Sequence, residues 1–155
     1  MFDFLGAVML LGMAAPMPFP AQDDPVIDVP ADDPELRAAV VRARAGLPVF
    51  FGHATAPGPG ETGFLVKFDI VPQGRGEFVW GEVIAHQGDE TLVRLVNTPR
   101  APGFALGQQL RVRDGEVVDW AYWRDGTMVG GATIRVLIAR MPPAAARTLR
   151  DRLGW

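Results

Sequence analysis

The fold is decided by residues 109–139, QLRVRDGEVVDWAYWRDGTMVGGATIRVLIA, in which two Asp-Gly pairs separate stretches of alternating apolar and polar side chains. An Asp-Gly pair between two such stretches is a strong signal for a two-residue β-hairpin turn. Asp114-Gly115 and Asp125-Gly126 therefore predict a meander of three strands, at residues 109–113, 116–123 and 127–139.

The chain before this stretch predicts one helix and three more strands. Asp33-Pro34-Glu35 is typical of a helix start, and apolar residues then recur at helical spacing until Gly46 and Pro48. Alternating apolar and polar residues predict strands at 64–70, 78–84 and 92–96. Because no helical pattern separates the strands, the sheet is predicted to be antiparallel.

The predicted fold class is α+β. An N-terminal helix would pack on a curved, roughly six-stranded antiparallel sheet, and a short C-terminal helix would run from Pro142-Pro143 to near Gly154. The sheet is predicted to be a meander, with a partly open barrel as the alternative form. Residues 34–155 are long enough to build this single domain around one core.

The composition excludes several kinds of site. The 155 residues include no Cys and no Ser, one Lys (Lys67) and two His (His53 and His86). Disulfides, thiolate zinc sites, Cys or Ser nucleophiles and three-histidine zinc sites are therefore impossible, and we expect no metal and no cofactor. Residues 36–155 hold 15 basic and 11 acidic side chains, a balance too weak to predict nucleic-acid binding.

The first 33 residues predict a signal-like segment and a tether. Residues 4–15, FLGAVMLLGMAA, form an apolar run that is too short to span a membrane and has the length found in secretory signals. We place this segment at residues 1–21 and expect a periplasmic or secreted protein without a stable membrane span in its mature form. A cytoplasmic protein with an uncleaved segment, and a mispredicted start or core piece, are the alternatives. Residues 22–33 are acidic and Pro-rich, as in extended tethers.

Two carboxylates are the catalytic candidates. The predicted hairpins place Asp119 opposite Leu110 and Ala132, on the apolar face of the sheet. Asp119 would then be an enclosed acid bonded to backbone amides or an indole, a carboxylate with a raised pKa lining a pocket, or a side chain turned to solvent by a β-bulge. Glu77 is the second candidate, since glycosidase-like chemistry needs a pair of carboxylates.

The glycines near the end of the meander suggest a place for a ligand. Gly130 and Gly131 would lie across from Ala121 and Trp120, where their missing side chains leave space above the indole. The indole would either pack closely on glycine backbone or form the floor of a ligand groove.

The predicted register also pairs further residues of interest. Arg135 would lie opposite Glu116 as an exposed ion pair. Asn97 and Phe68 would lie across from Trp80, and Asn97 would either fix the loop that follows it or contact a ligand. The complete set of ligand-binding candidates is Trp80, Asn97, Trp120, Tyr122, Gly130, Gly131 and Arg135.

The order of certain residues resembles a bacterial family, the YegJ-like domain of unknown function 2314. The resemblance covers about residues 35–140 and implies a small α+β domain that is frequent in exported bacterial proteins. It implies no particular activity, cofactor or catalytic residue. We call the residues that carry it the signature residues: Lys67, Glu77, Trp80, Asn97-Thr98-Pro99, Asp119-Trp120, Tyr122, Gly130-Gly131 and Thr133-Ile134-Arg135-Val136.

Three functional hypotheses follow. The leading one is a non-catalytic exported bacterial domain that binds an unknown protein, peptide or envelope component through an aromatic-rich sheet face, formed by Trp80, Trp120, Tyr122 and Trp123. The second is a small hydrolase that uses Asp119 or Glu77, with Arg135 as anion stabiliser, and it requires an open cleft at these residues. The third is an intracellular interaction partner of a larger protein. None of the three specifies an oligomeric state.

Overall fold

The computed structural model describes residues 33–73 and 76–155, so the predicted signal segment and nearly all of the tether lie outside the described residues. The helices and strands follow one another in the order α1 (Pro34–Thr55), β1 (Glu61–Asp69), β2 (Phe78–Gln87), β3 (Glu90–Leu95), β4 (Gln109–Arg113), β5 (Val117–Arg124), β6 (Thr127–Gly130), α2 (Ala132–Ile138) and α3 (Pro143–Leu153). A 3₁₀ turn, Asp114–Glu116, connects β4 to β5.

The six strands form one sheet in the order β4-β3-β2-β1-β5-β6, and every pair of neighbours is antiparallel. With α1 before the sheet and α3 at its end, the α+β class predicted from the sequence is confirmed. The hairpin at Asp125-Gly126 is also confirmed, because Arg124 pairs with Thr127 across that turn.

The predicted hairpin at Asp114-Gly115 is wrong. β4 pairs with β3 at the edge of the sheet, whereas β5 pairs with β1 and β6. The physical reason is burial: β5 is buried along most of its length and belongs inside the sheet, whereas alternate residues of β4 are exposed arginine and glutamine, which suit an edge. Asp119 therefore does not lie opposite Leu110, and it faces Lys67 instead.

The sheet is strongly curved, as predicted. Three strands separate β4 from β5, which in a flat sheet would place them about 19 Å apart at a spacing of about 4.8 Å. The three-residue connection Asp114–Glu116 bridges at most about 14 Å. The sheet must therefore curl for β4 to lead directly into β5.

Helix α1 packs against the concave face of this sheet. It shares one buried core with β1 to β5, and its phenylalanine rings contact Phe64 of β1, His86 of β2 and Trp120 of β5. The Arg44 guanidinium fastens α1 to the connection after β4 by donating to the Gly115 and Val117 carbonyls at 3.0 Å each. The core side chains of α1 are Leu47, Phe50 and Phe51.

α1 is also longer than predicted, because it continues through Pro48 to Thr55. Proline within a helix removes one backbone hydrogen bond. Here Phe50 and Phe51 are buried directly after Pro48, and Phe51 stacks on His86 of β2 with ring centroids 3.6 Å apart. Burial of these rings offsets the cost of the proline and carries the helix beyond its predicted end.

The last predicted strand, residues 127–139, is wrong in its second half. β6 ends at Gly130, and Ala132–Ile138 form helix α2. Gly130 and Gly131 both have left-handed backbones, with φ of 86° and 66°, which turn the chain out of the sheet. Arg135 consequently lies on a helix, and its predicted cross-strand pairing with Glu116 does not exist.

A second core lies on the opposite face of the sheet, beneath α2 and α3. The register of β1 and β2 contributes to it, because Trp80 pairs with Lys67 rather than with Phe68 as predicted. This shift places the Trp80 side chain on the α2 face. The second core contains Leu65, Trp80, Ala121, Trp123 and Met128 of the sheet, with Ile134, Ile138, Ala146 and Leu153 of the two helices.

Candidate functional site

Asp119 is fully buried between β5 and the start of α2. Its carboxylate accepts backbone hydrogen bonds from Trp120 at 2.9 Å, Ala132 at 3.1 Å and Thr133 at 2.8 Å. The Thr133 hydroxyl donates a fourth at 2.6 Å, and Lys67 Nζ lies 3.4 Å from that hydroxyl oxygen. Asp119 thus caps α2 from a neighbouring strand.

Burial raises the pKa of Asp119 above its usual value of 3.8, although the Thr133 and Trp120 donors and the Lys67 charge oppose the rise. The carboxylate is enclosed and bonded to backbone, which matches the first of the three interpretations of this residue. The hydrolase hypothesis requires an open cleft at Asp119, whereas the Asp119 side chain is fully buried.

Glu77 and Asn97 hold the first half of the loop between β3 and β4. The Glu77 carboxylate accepts the backbone N–H groups of Arg100 at 2.6 Å and Ala101 at 2.8 Å. Asn97 Oδ1 accepts the Trp80 N–H at 2.8 Å, so it bonds to strand β2 rather than to the backbone of its own loop. Both polar groups thus accept backbone hydrogen bonds. Glu77 bonds to the loop after β3 and Asp119 to the start of α2, so the two carboxylates share no hydrogen-bond partner.

The proposed aromatic sheet face is not available as a surface. Trp80, Tyr122 and Trp123 are at most 6% exposed, and they lie in the two cores. Trp120 differs from them, because it is only partly buried. Among these four aromatic residues, Trp120 is therefore the one that can contact a ligand in this structure.

Two glycines fit closely against the Trp120 indole. A Cβ atom on Gly130 would lie 2.6 Å from Trp120 Cε3, and one on Gly46 of α1 would lie 2.8 Å from Cζ2. The indole N–H donates to the Ala43 carbonyl at 2.7 Å, and the Gly131 N–H donates to the Trp120 carbonyl at 2.8 Å. The structure thus shows the close packing of indole on glycine, and it also leaves part of the ring exposed.

This exposed part belongs to a cavity of about 580 Å³ between α1 and α2, which we call the α1–α2 groove. Asp119, Trp120 and Gly130 line it from the sheet, although Asp119 itself is fully buried. The walls are Glu35, Ala38, Arg42 and Ala43 of α1, and Ala132, Arg135, Val136 and Ala139 at α2.

The charges at the groove are unequally compensated. Arg140 pairs with Glu35 at 2.7 Å and with Asp33 at 2.8 Å, and this contact with Arg140 lowers the pKa of Asp33 to about 2. Arg42 and Arg135 form no ion pair with any described residue. The groove therefore presents two uncompensated positive charges.

The sequence did not identify Arg42 as a site residue, because helical periodicity places it on an outward face together with Arg37 and Arg44. Only the position of α2 shows that Arg42 and Arg135 line the same groove. The contact between Arg135 and Trp155, whose ring centroid lies 3.6 Å from Arg135 Cζ, was also not foreseen. No local signal links Arg135 of α2 to Trp155, which follows twenty positions later, beyond the end of α3.

Similar proteins are known from sequence. The sequence profile of a family described as "Uncharacterized protein conserved in bacteria (DUF2314)" matches residues 33–155. The chain belongs to this family. It is also 29% identical over 91 residues to "Uncharacterized protein YegJ" of Escherichia coli (strain K12), and the match covers 58% of this chain and 60% of that protein. A comparison with solved structures finds no match.

Two further properties of this DUF2314 domain bear on its site. Within residues 33–73 and 76–155, no group of three or more His, Asp or Glu side chains could hold a metal ion. No helix in the same part of the chain is long and apolar enough to cross a membrane.

The packing of Trp120 predicts a large cost for a methyl group at position 130. We expect Gly130→Ala to lower the free energy of unfolding by about 1–3 kcal/mol more than Gly88→Ala, because the added Cβ overlaps both the carbonyl oxygen and the indole of Trp120. Gly88 is the matched control: its φ is also positive, at 66°, but no atom lies within 4 Å of a Cβ there. Urea unfolding measures both, and equal losses would contradict close packing at Trp120.

The burial of Asp119 predicts its titration. We expect the Asp119 carboxyl carbon to titrate by NMR with a pKa above 3.8, and Thr133→Val to raise this pKa further by removing a donor to the ionised form. A raised folded-state pKa stabilises the protein below pH 3.8, and this contribution is lost as pH rises through the folded-state pKa. Thr148→Val on the exposed face of α3 serves as control. A pKa below 3.8 in the wild type would show that the donors outweigh burial.

Proposed function

We propose that this domain is a non-catalytic binding module that takes a segment of a protein or peptide in the α1–α2 groove. The observation that carries the proposal is the groove itself, where the partly exposed Trp120 and two guanidinium groups without an ion pair line one cavity. Its volume of about 580 Å³ falls within the range of about 300–1,000 Å³ typical of ligand sites.

The state of the other candidate residues supports binding over catalysis. The carboxylates of Asp119 and Glu77 accept hydrogen bonds from the backbone, and Asp119 is enclosed. A catalytic acid or base must reach the reacting atoms of its substrate. Arg135 and Trp120, in contrast, face the groove and are suited to contact a partner.

A groove-filling substitution tests this proposal. We expect the wild-type chain to enrich peptides from a displayed random library, and Ala38→Trp to abolish that enrichment because a bulky ring fills the groove from α1. Ala45→Trp is the matched control, because Ala45 is also exposed on α1 but does not line the groove. Enrichment that survives Ala38→Trp, or none with the wild type, would overturn the proposal.

We further propose that the protein acts outside the cytoplasm. The support is the apolar run at residues 4–15, followed by an acidic, Pro-rich stretch. Mass spectrometry of the protein purified from its bacterial host should find a mature N-terminus near the end of residues 1–21, in the periplasmic or secreted fraction. A chain that retains Phe2-Asp3 in the cytoplasmic fraction would favour the intracellular alternative.

A further inference from the structure

We infer that the α1–α2 groove recognises acidic side chains of a peptide segment, through a carboxylate clamp formed by Arg135 and Arg42. We also assign Trp155 as the residue that positions Arg135. This inference rests on the proposed function and specifies the chemistry of the partner.

The geometry of Arg135 is the first support. Its Cζ atom lies 3.6 Å from the centroid of the Trp155 ring, which is contact distance for a guanidinium lying over an aromatic face. A guanidinium carries its five N–H donors in its own plane. The ring therefore covers one face of the group and leaves the donor edge available for a carboxylate, which can accept two parallel hydrogen bonds.

Trp155 is itself held in place. Its indole N–H donates to the Met128 carbonyl at 2.8 Å, and its backbone N–H donates to the Arg150 carbonyl at 3.0 Å. The ring also lies against Gly131, where a Cβ atom would approach it to 3.2 Å. These contacts tie Trp155 to β6 and α3, so the surface on which Arg135 rests is fixed before a ligand arrives.

The charge distribution is the second support. Arg42 lines the opposite wall on α1, and the acidic side chain on that wall, Glu35, is paired with Arg140. Asp119 is enclosed and bonded to its own donors. A carboxylate entering the groove would thus meet two guanidinium groups that have no competing ion pair among the described residues.

The remaining lining favours a peptide as the source of the carboxylate. Ala38, Val136 and Ala139 are aliphatic, and the partly exposed Trp120 adds an aromatic side chain. Such walls suit the methylene groups and neighbouring apolar side chains of a Glu- or Asp-containing segment. Free phosphate would use the two guanidinium groups alone, so it is an alternative that the experiment separates.

The test uses the full chain and three probes: a capped, fluorescein-labelled hexapeptide of alternating Glu and Ala, its Gln counterpart, and inorganic phosphate as competitor. We expect the Glu peptide to bind at least about 10-fold more tightly than the Gln peptide at low salt, since charge-assisted hydrogen bonds are about twice as strong as neutral ones. Arg135→Gln and Arg42→Gln should each lower the affinity for the Glu peptide about 5- to 10-fold. Arg147→Gln, an exposed arginine of α3 outside the groove, should change its affinity less than about 2-fold.

A double-mutant cycle tests the role of Trp155. Trp155→Leu should lower the affinity for the Glu peptide. Adding Trp155→Leu to Arg135→Gln should lower that affinity no further, because the ring acts through Arg135. Arg135→Lys keeps the charge but loses the planar fork, so it should restore only part of the affinity. Additive losses from Trp155→Leu and Arg135→Gln would overturn the positioning role.

The outcomes separate this inference from the proposed function. Equal binding of Glu and Gln peptides, with both blocked by Ala38→Trp, would overturn the carboxylate clamp and leave the peptide groove intact. Failure of the library to yield any groove-dependent peptide would overturn both. Phosphate that displaces the Glu peptide at equal concentration, with the same dependence on Arg42 and Arg135, would reassign the clamp to phosphate and overturn the choice of an acidic peptide.

Discussion

The contact on which the rest of the structure depends is the capping of α2 by Asp119. The first N–H groups of a helix have no acceptor within the helix, and the residue before α2, Gly131, has no side chain to supply one. The Asp119 carboxylate accepts from Ala132 and Thr133 instead. A helix of seven residues is too short to be stable alone, so this cap and the burial of Ile134 hold α2 to the sheet.

Asp119 and its neighbour Trp120 together fix both helices that border the groove. Successive side chains of a strand point to opposite faces, so Asp119 faces α2 and Trp120 faces α1. The Trp120 indole donates to the Ala43 carbonyl of α1, while the Asp119 carboxylate holds the start of α2. The α1–α2 groove is therefore set by two consecutive residues of β5, and its width follows from how closely Gly46 and Gly130 let the indole approach.

The local sequence predicts the strands well and their partners less well. Asp114-Gly115 and Asp125-Gly126 are the same turn signal, yet only the second joins two paired strands. The difference lies in burial, because β5 needs neighbours on both sides whereas β4 does not. The pairing of β5 with β1 joins residues 49 to 63 positions apart, from Phe68–Val117 to Glu61–Arg124, and turn chemistry carries no information about such distant contacts.

Long-range contacts also limit what the local sequence predicts about the site. Thr133, Ile134 and Val136 are β-branched and favour a strand by propensity, but the distant Asp119 cap overrides that preference and makes a helix. The enclosed state of Asp119 was among the interpretations that the sequence allowed. A ligand groove over Trp120 was also among them, but its two arginines were not, because Arg42 and Arg135 come from helices whose relative position depends on that same cap.

The signature residues divide into two groups when their contacts are considered. Lys67, Asp119 and Thr133 are connected by hydrogen bonds. Glu77 and Asn97 accept hydrogen bonds from the backbone. Their contribution to the fold is therefore enough to explain the presence of these five side chains. Arg135 is different: its side chain is exposed, and Trp155, on which it rests, lies outside the signature residues. The cores do not require this side chain, and it lies at the groove that the proposed binding function would use. The physical basis of the fold thus directs the search for function to Arg135.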